Sequence, residues 1–457
     1  MKRRDFLKTA GVGIAAITLA GCELPTFLRR QTRPNIIVII SDDMGYADIG
    51  CHGCKDIQTP NIDSIAHKGI RFTNGYVTAS KCSPSRAGLM TGRYQQRFGY
   101  EFNPGPPPKG IRENIGLPIT EVTIADVLAS AGYTTGAVGK WHLGTSPRFN
   151  PIKRGFAEFF GFPHGGHPYI GRHWMESNPV MRGNVPVNEK EYLTDAFSRE
   201  AIAFIERHHD KPFFLWLAYN APHKPMQTPQ RYRYSFEHIT KPVRRTYAGM
   251  LAAMDDGIGN LLEKLRTYGI EDDTLLFFLN DNGGSGKGYG SRNSPLKAGK
   301  GSFFEGGIRV PFIVKWPRRL PAGVTYEHPV ISLDILPTVA AVAGAKLPKD
   351  RRIDGVNLIP YLTGRTKKTP HEILFWRKGD DYAVRQANWK LVSTAGKTEL
   401  FDLAADIGEN RNLAAERPDV LKKLTKAYEK WNAQMKEPLW PPNPRIITEP
   451  KGGTNIS

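Results

Sequence analysis

The chain has 457 residues, 40% hydrophobic and 23% charged, as expected for a soluble globular protein with one large and one smaller domain. Its formal net charge of +19 favours polyanionic partners such as nucleic acid, anionic lipid or a sulfated glycan, although a merely solubilising basic surface is the alternative. Because no zinc-finger spacing or RNA-recognition sequence accompanies this charge, we expect no nucleic-acid partner.

Residues 1–21 predict a bacterial export signal. Arg3 and Arg4 form a twin-arginine pattern, and the apolar segment 10–20 is too short to span a bilayer. Residues 19–22 resemble a lipobox, in which Cys22 would carry a lipid and anchor the chain to a membrane. A plain amphipathic N-terminal segment or a non-cleaved anchor is the alternative. We therefore expect the twin-arginine machinery to export the protein to the periplasm, or to the outer membrane or cell surface as a lipoprotein. Residues 22–33 would be a linker.

Apolar segments next along the chain predict a large sheet. Residues 35–40 form a continuous β-branched run, which is typical of a central parallel strand buried on both faces. Similar runs predict strands over 134–138, 211–218, 274–279 and 310–316, and helical periodicity predicts helices over 120–132 and 246–269. The fold class expected is α/β, with a large mixed, mostly parallel sheet flanked by helices.

A smaller C-terminal unit is predicted from residue 367. Short alternating segments over 372–377, 382–386, 389–393 and 398–403 predict an antiparallel sheet, and residues 418–435 predict a helix. The domain organisation expected is a catalytic domain over 34–366, an α+β subdomain over 367–440 and an extended tail over 441–457.

Polar residues follow four of the predicted strands where they end. Open α/β sheets bind ligands at the carboxyl ends of their strands, so these residues are candidates for one site. Asp42 and Asp43 follow the first strand, and Asp281 and Asn282 follow the strand over 274–279. Their oxygen atoms are ligands that hard cations such as Ca²⁺ or Mg²⁺ require, whereas an oxygen-only set argues against zinc. A helix cap with a solvated charge is the alternative for the Asp pair.

The run over 81–93 contains the most informative motif. Cys82 is followed by Pro84 and Arg86, then by Thr91-Gly92-Arg93, and this spacing resembles the signature of type I sulfatases, which depend on formylglycine and belong to the alkaline phosphatase superfamily. A buried structural cysteine is the alternative. The resemblance extends over about 34–413. It includes Gly-Lys-Trp-His-Leu-Gly at 139–144, Lys-Gly-Xaa-Xaa-Xaa-Glu-Gly-Gly at 300–307 and Phe-Asp-Leu at 401–403.

The resemblance implies a role for each matching residue. A maturation enzyme would oxidise Cys82 to formylglycine, whose hydrate is the nucleophile. Asp42, Asp43, Asp281, Asn282 and the oxidised residue 82 would bind one divalent cation, usually calcium, with magnesium as the competing ion. The remaining residues would surround the sulfate with positive charge or donate a proton to the leaving alcohol. Arg86 would hold the nucleophile, and Lys140 and Lys300 would contact sulfate oxygen atoms. His142 would hydrogen-bond the hydrate, and His223 would bind sulfate or protonate the leaving alcohol.

The function expected is hydrolysis of a sulfate ester on a carbohydrate, such as a polysaccharide-derived oligosaccharide. The motifs resemble the arylsulfatase and N-acetylgalactosamine-6-sulfatase type. The substrate would contact Lys140, His223 and Lys300, and variable loops offer further candidates for a sugar subsite: Asn103, His167, Arg172, His173 and Trp174. The alternative for these loop residues is that they only pack against one another.

Three other functions are consistent with parts of the sequence. A phosphate or phosphonate monoester hydrolase of the same superfamily would normally use Thr or Ser as its nucleophile, or add a second metal set. A non-catalytic, surface-anchored glycan-binding protein would not require Lys140, His142, His223 and Lys300 together. A zinc hydrolase would have to use Cys51 and Cys54, which form a lone CxxC with no second pair.

Overall fold

The computed structural model describes residues 33–104, 115–170 and 178–442. The predicted export signal, Cys22 and most of the predicted linker and tail lie outside the described residues. Within the described ranges, no helix combines the length and the apolar character that crossing a membrane requires.

The first twelve strands build the main body. They are β1 (Asn35–Ser41), β2 (Ile70–Phe72), β3 (Gly75–Tyr76), β4 (Thr134–Lys140), β5 (Glu158–Phe162), β6 (Met181–Arg182), β7 (Val185–Pro186), β8 (Phe213–Ala218), β9 (Thr274–Asn280), β10 (Phe312–Lys315), β11 (Val324–Tyr326) and β12 (Val330–Ile331). Ten of them form one sheet in the order β11-β2-β10-β9-β1-β8-β4-β5-β6-β7, and β3 pairs with β12.

The centre of the large sheet is parallel. β1 pairs in parallel with β8 and β9, and β4 pairs in parallel with β8 and β5, whereas β10 is antiparallel to β9. The four strands that the sequence predicted to end in polar residues, β9, β1, β8 and β4, are therefore neighbours. Their carboxyl ends share one edge of the sheet, which is where an α/β fold places its ligands.

Helices cover both faces of this sheet. The α-helices of the described residues are α1 (Pro60–His67), α2 (Cys82–Thr91), α3 (Ile124–Ser130), α4 (Leu193–His208), α5 (Gln230–Arg233), α6 (Pro242–Thr267), α7 (Glu305–Ile308), α8 (Ile335–Ala343), α9 (Ile359–Leu362) and α10 (Pro418–Asn432). Along β1, Ile36, Val38 and Ile40 pack into one core with α2, α3 and α8. Ile37 and Ile39 pack into the other core with α1, α4 and α6, because successive side chains of a strand point to opposite faces. The predicted fold class is confirmed.

The C-terminal sheet is a four-stranded antiparallel meander of β13 (Ile373–Lys378), β14 (Asp381–Gln386), β15 (Trp389–Thr394) and β16 (Lys397–Asp402). α10 packs on this sheet, and its Leu424 and Trp431 share a hydrophobic core with Trp376 of β13 and with Tyr76 and Ile308 of the main body. Because this core continues into the main body, the domain boundary at residue 366 remains a prediction.

Buried ion pairs also join the C-terminal sheet to the main body, in a group we call the junction cluster: Glu305, Lys390, Glu409 and Tyr76. Lys390 Nζ lies 2.6 Å from Glu305 Oε1 and 3.0 Å from Glu409 Oε1, and all three side chains are fully buried. The hydroxyl of Tyr76 donates a hydrogen bond of 2.6 Å to Glu305 Oε2. Lys390 of β15 is thereby attached to Glu305, which begins α7 of the main body.

Candidate active site

Cys82 is the first residue of α2, and only 1% of it is exposed. Its Sγ lies 3.6 Å from Asp42 Oδ1 and 4.0 Å from Asp43 Oδ1. Burial raises the pKa of the Cys82 thiol to about 12, because the nearby Lys140 and Lys300 offset only part of the desolvation. Since the thiolate is the reactive form of cysteine, the unmodified Cys82 is a poor nucleophile at neutral pH.

Two lysines neutralise the carboxylates beside Cys82. Lys140, the last residue of β4, places Nζ 2.6 Å from Asp42 Oδ2. Lys300 Nζ lies 2.6 Å from Asp43 Oδ1, and the Ser285 hydroxyl donates to Asp43 Oδ2 at 2.8 Å. Burial opposes ionisation of Asp43, but Lys300 and other nearby cations outweigh it and hold the pKa of Asp43 well below its ordinary value. The site therefore pairs each of these carboxylates with an ammonium group.

Arg86 fixes α2 against the strand ends. Its Nε donates to Asp281 Oδ2 at 2.8 Å, and one terminal nitrogen donates to the carbonyl oxygen of Lys140 at 2.9 Å. Burial and the nearby Asp42 raise the pKa of Asp281, although Arg86 opposes that change. Arg86 lies one helical turn after Cys82, so its bridge between the ends of β9 and β4 holds residue 82 at the sheet edge.

His142 does not continue β4 as extended chain. In an extended chain the two-residue spacing would place Lys140 and His142 on the same face, but β4 ends at Lys140 and His142 has a φ of 60°. Its ring packs on Gly165, where a Cβ would lie 2.5 Å from Nε2. Burial, Lys140 and Arg86 lower the pKa of His142 well below its ordinary value, so the ring is neutral. Its buried Nδ1 has no hydrogen-bond partner among the described residues.

His223 and Lys300 border a cavity of about 350 Å³ at this edge of the sheet. The other lining residues are Asp43, Lys81, Asn103, Pro222, Lys224, Tyr247, Ser285 and Tyr289. His223 Nδ1 lies 2.7 Å from the carbonyl oxygen of Lys224, so Nδ1 carries the proton, and Nε2 lies 3.7 Å from Asp43 Oδ2. Burial lowers the pKa of His223 to about 3. Its Nε2 can therefore accept a proton or a ligand.

The acidic residues fit a divalent cation. Ligand atoms of Asp42, Asp43, Cys82 and His223 all lie within 4.8 Å of one another. Asp281 Oδ1 and Asn282 Oδ1 are buried and have no hydrogen-bond partner among the described residues. Buried oxygen atoms without partners are costly, and a hard cation bound by oxygen ligands would remove that cost. The motif that contains His223 did not indicate that it belongs to this group.

The predicted sugar-contacting residues are only partly brought to the cavity. Asn103 lines it, and its Oδ1 accepts a hydrogen bond of 3.1 Å from the backbone nitrogen of Ser83. His167 is buried against Phe162, with ring centroids 5.1 Å apart, and is not among the described residues that line the cavity. Arg172, His173 and Trp174 lie outside the described residues.

Six residues that line the cavity were not predicted from the sequence: Lys81, Pro222, Lys224, Tyr247, Ser285 and Tyr289. Lys81 and Lys224 directly adjoin Cys82 and His223, so adjacency to the motif residues is a signal that could have identified them. Ser285 and Tyr289 lie in a glycine-rich segment after β9, where neither periodicity nor a motif distinguishes them.

Family comparisons agree with this geometry. The Sulfatase family matches residues 34–345, and the family described as N-sulphoglucosamine sulphohydrolase, C-terminal, matches residues 299–435. The first match covers more than half of the chain, so the protein belongs to the sulfatase family and is a sulfatase enzyme. The acidic cluster at the strand ends is a group that could bind a metal ion.

Several sulfatases are similar to this chain. Arylsulfatase A of Homo sapiens is 35% identical over 86% of this chain and 86% of its own length. The N-acetylgalactosamine-6-sulfatase of Homo sapiens is 34% identical over 90% of this chain and 87% of its own length. Among solved structures, Ps i-CgsB in complex with k-i-k-neocarrahexaose is 39% identical, has a TM-score of 0.85, and is matched over 92% of this chain and 98% of that chain.

Proposed function

We propose that this sulfatase hydrolyses sulfate esters of sulfated carbohydrates, using formylglycine formed from Cys82 and a bound calcium ion. The observation that carries the proposal is the position of Cys82. It begins α2 with its Sγ 3.6 Å from Asp42 Oδ1 and 4.0 Å from Asp43 Oδ1, at the sheet edge where Asp281 Oδ1 and Asn282 Oδ1 are buried and have no hydrogen-bond partner among the described residues. A buried, protonated thiol has no catalytic use there, whereas an oxidised residue 82 would supply an oxygen nucleophile.

The chain's own residues would bind and orient the sulfate group. Lys300 and His223 border the cavity, so their nitrogen atoms can contact the anionic sulfate oxygen atoms. Arg86 would keep residue 82 in place through Asp281. The bound cation would supply further positive charge, held by Asp42, Asp43, Asp281 and Asn282.

His223 is the proposed proton donor to the leaving alcohol. Its Nδ1 is engaged by the Lys224 carbonyl, which leaves Nε2 as the atom that holds the transferable proton. An anionic substrate beside Nε2 would stabilise the protonated ring, which opposes the effect of burial on the pKa of His223.

A carbohydrate substrate is supported by the character of the cavity. Most of its lining is charged or polar, including Lys81, Asn103, Lys224 and Ser285, which suits hydroxyl and sulfate groups better than an apolar ring system. The formal net charge of +19 also favours a polyanion. Ps i-CgsB, a similar structure, was solved with a carbohydrate, neocarrahexaose.

Mass spectrometry of the tryptic peptide 82–86 tests the modification. Trypsin cleaves after Lys81 and Arg86, so the peptide isolates residue 82. Protein made with a maturation enzyme should give a peptide that lacks the sulfur atom and reacts with a carbonyl-specific hydrazide, and aryl sulfate hydrolysis should increase with the converted fraction. Full activity in protein with an unmodified thiol would refute the formylglycine mechanism.

Thermal denaturation tests the cation separately from activity. Adding Ca²⁺ to chelator-treated protein should raise the melting temperature, because an ion that binds only the folded state stabilises it. The same addition to an Asn282→Leu variant should raise it less. A larger rise with Mg²⁺ than with Ca²⁺ would identify magnesium as the preferred ion, and no rise with either would contradict the metal site.

We also propose twin-arginine export after maturation, with Cys22 as the site of lipid attachment in a bacterial envelope. Twin-arginine export moves folded proteins, so a cytoplasmic maturation enzyme could oxidise Cys82 first. Cell fractionation tests this proposal. Replacing Arg3 and Arg4 with lysine should retain the protein in the cytoplasm, and Cys22→Ala should release it from the membrane fraction; unchanged fractions would contradict both assignments.

A further inference from the structure

Two lysines at the cavity differ from the two that neutralise the aspartates. Lys140 and Lys300 each lie 2.6 Å from a carboxylate oxygen. Lys81 and Lys224 also line or border the same space, yet neither has a carboxylate within ion-pair distance among the described residues. The cavity therefore holds positive charge beyond what Asp42 and Asp43 balance.

Lys224 is combined with an exposed aromatic ring. Its Nζ lies 5.4 Å from the ring centroid of Tyr289, within range of a cation–π contact. Tyr289 is 43% exposed, although large hydrophobic side chains are usually buried. An ammonium group beside an accessible aromatic ring suits a ligand with an apolar face and an anionic substituent.

Lys81 adds a cation from another segment of the chain. It directly precedes Cys82 and packs beside Gly301, where a Cβ would lie 3.2 Å from both Cε and Nζ of Lys81. Gly301 follows Lys300, so this close contact brings Lys81 next to the second lysine motif. The extra positive charge therefore borders the position where the reacting sulfate would bind.

We propose that Lys81, Lys224 and Tyr289 form a subsite for a sugar unit that carries a second anionic group, a sulfate or a carboxylate, next to the ester that is cleaved. The inference rests on the proposed function, because it names a substrate class for the same cavity. Tyr289 would support the apolar face of the sugar, and the two lysines would make charge-assisted hydrogen bonds to its anionic group. The preferred substrate is thus a carbohydrate with more than one anionic group.

Calorimetric binding tests the subsite without turnover. The Cys82→Ala protein is titrated with three oligosaccharides of equal length: one from ι-carrageenan, a partially desulfated form of it, and one from chondroitin sulfate, which carries carboxylates. When Lys224→Gln is introduced into the Cys82→Ala protein, binding of the ι-carrageenan oligosaccharide should weaken about tenfold, which is the loss expected for one hydrogen bond to a charged group. Tyr289→Leu should weaken the binding of all three oligosaccharides to similar extents. Lys287→Gln, at an exposed lysine in the same segment that does not line the cavity, is the matched control.

The pattern across ligands decides the inference. The inference is supported if Lys224→Gln weakens binding of the fully sulfated ligand more than binding of the desulfated one. If it weakens binding of the chondroitin sulfate ligand as much as that of the fully sulfated ligand, the subsite also accepts a carboxylate. It is overturned if Lys224→Gln weakens no ligand, weakens the sulfated and desulfated forms equally, or acts no more strongly than Lys287→Gln. Aryl sulfate hydrolysis by the matured wild type is measured separately, so its failure would count against the proposed function and not against the subsite.

Discussion

The active site and the junction cluster are both buried groups of charged side chains, but they are arranged differently. In the junction cluster, Lys390 is fully buried between Glu305 and Glu409. In the active site, Lys300 also pairs with a carboxylate, Asp43, but it borders a cavity, and 14% of its side chain is exposed. The two lysines thus have similar partners and different access to solvent and ligand.

This difference suits the junction cluster to stabilising the fold and the active site to binding a ligand. Burial opposes ionisation of Glu305, but Lys390 and Arg309 lower its pKa to about 2, so its charge is satisfied within the protein. In the active site, Asp281 Oδ1 and Asn282 Oδ1 remain unpartnered among the described residues. Buried polar groups are normally satisfied, so these two oxygen atoms indicate a ligand. In the junction cluster, Glu409 Oε1 also has no hydrogen-bond partner among the described residues, but it lies 3.0 Å from Lys390 Nζ, so an ion pair within the protein compensates its charge.

The largest effect is expected from removing the residue at the centre of the active site. Cys82→Ala should reduce turnover to background, on the order of a millionfold as for other nucleophile deletions, because no oxygen nucleophile can form. Its thermal stability should stay close to that of the wild type. Cys51→Ala is the matched control, since Cys51 is also a free thiol but does not line the cavity. Aryl sulfate turnover is the measurement, and near wild-type turnover by Cys82→Ala would exclude residue 82 as the nucleophile.

Lys300→Met tests the active-site lysine. Turnover should fall on the order of a thousandfold, the loss typical of removing one group that stabilises developing negative charge. The folded state should survive, because water in the cavity can solvate Asp43 once Lys300 is gone. Activity and urea denaturation are measured together. If Lys300→Met is strongly destabilised but fully active while folded, Lys300 contributes to stability and not to catalysis, as is expected of Lys390 in the junction cluster.

Lys390→Met is the corresponding change in the junction cluster. It should lower the free energy of unfolding by about 3–5 kcal/mol, because two buried carboxylates lose their shared cation. Turnover per folded molecule should change little. Lys397→Met on the neighbouring strand, where the side chain is 71% exposed, should change the free energy of unfolding by less than about 1 kcal/mol. Equal urea midpoints for the two variants would show that the junction cluster adds no stability.

The sequence predicted the active site better than the junction cluster, for a physical reason. The apolar run over 35–40 identified a buried strand, and the order of the strands then brought Asp42, Asp43 and Asp281 to one edge. Lys390 instead lies on a short strand of ordinary alternating pattern, 85 residues after Glu305. No local pattern indicates that such distant residues form an ion pair.

Loop residues around the cavity were the least predictable. Tyr289 and Ser285 lie where chain direction is set by tertiary contacts, so periodicity carries no information about them. His142 was identified from its motif, but the left-handed backbone that brings it to the site could not be anticipated from two-residue spacing. The grouping of the strand-end residues was therefore predictable, and the geometry of the loops around the cavity was not.

The smallest effect is expected at a third link between the C-terminal segment and the main body. His371 Nε2 lies 2.7 Å from Asp334 Oδ1, and both side chains are largely buried. Burial alone would lower the pKa of His371, but Asp334 raises it above the ordinary value. A raised pKa in the folded state adds stability that is fully present below the unfolded pKa and is lost as pH rises through the folded value. The pair should therefore stabilise the protein in mildly acidic solution.

His371→Gln should lower the free energy of unfolding by about 1 kcal/mol near pH 6, and by less near pH 9, because the wild-type ring loses its proton as the pH rises through its folded-state pKa. Urea denaturation at the two pH values measures the difference. His67→Gln, at an exposed histidine of α1, should have little effect at either pH. A loss that is the same at both pH values would mean that His371 acts through packing and a neutral hydrogen bond. This C-terminal link would then depend on charge less than the junction cluster does.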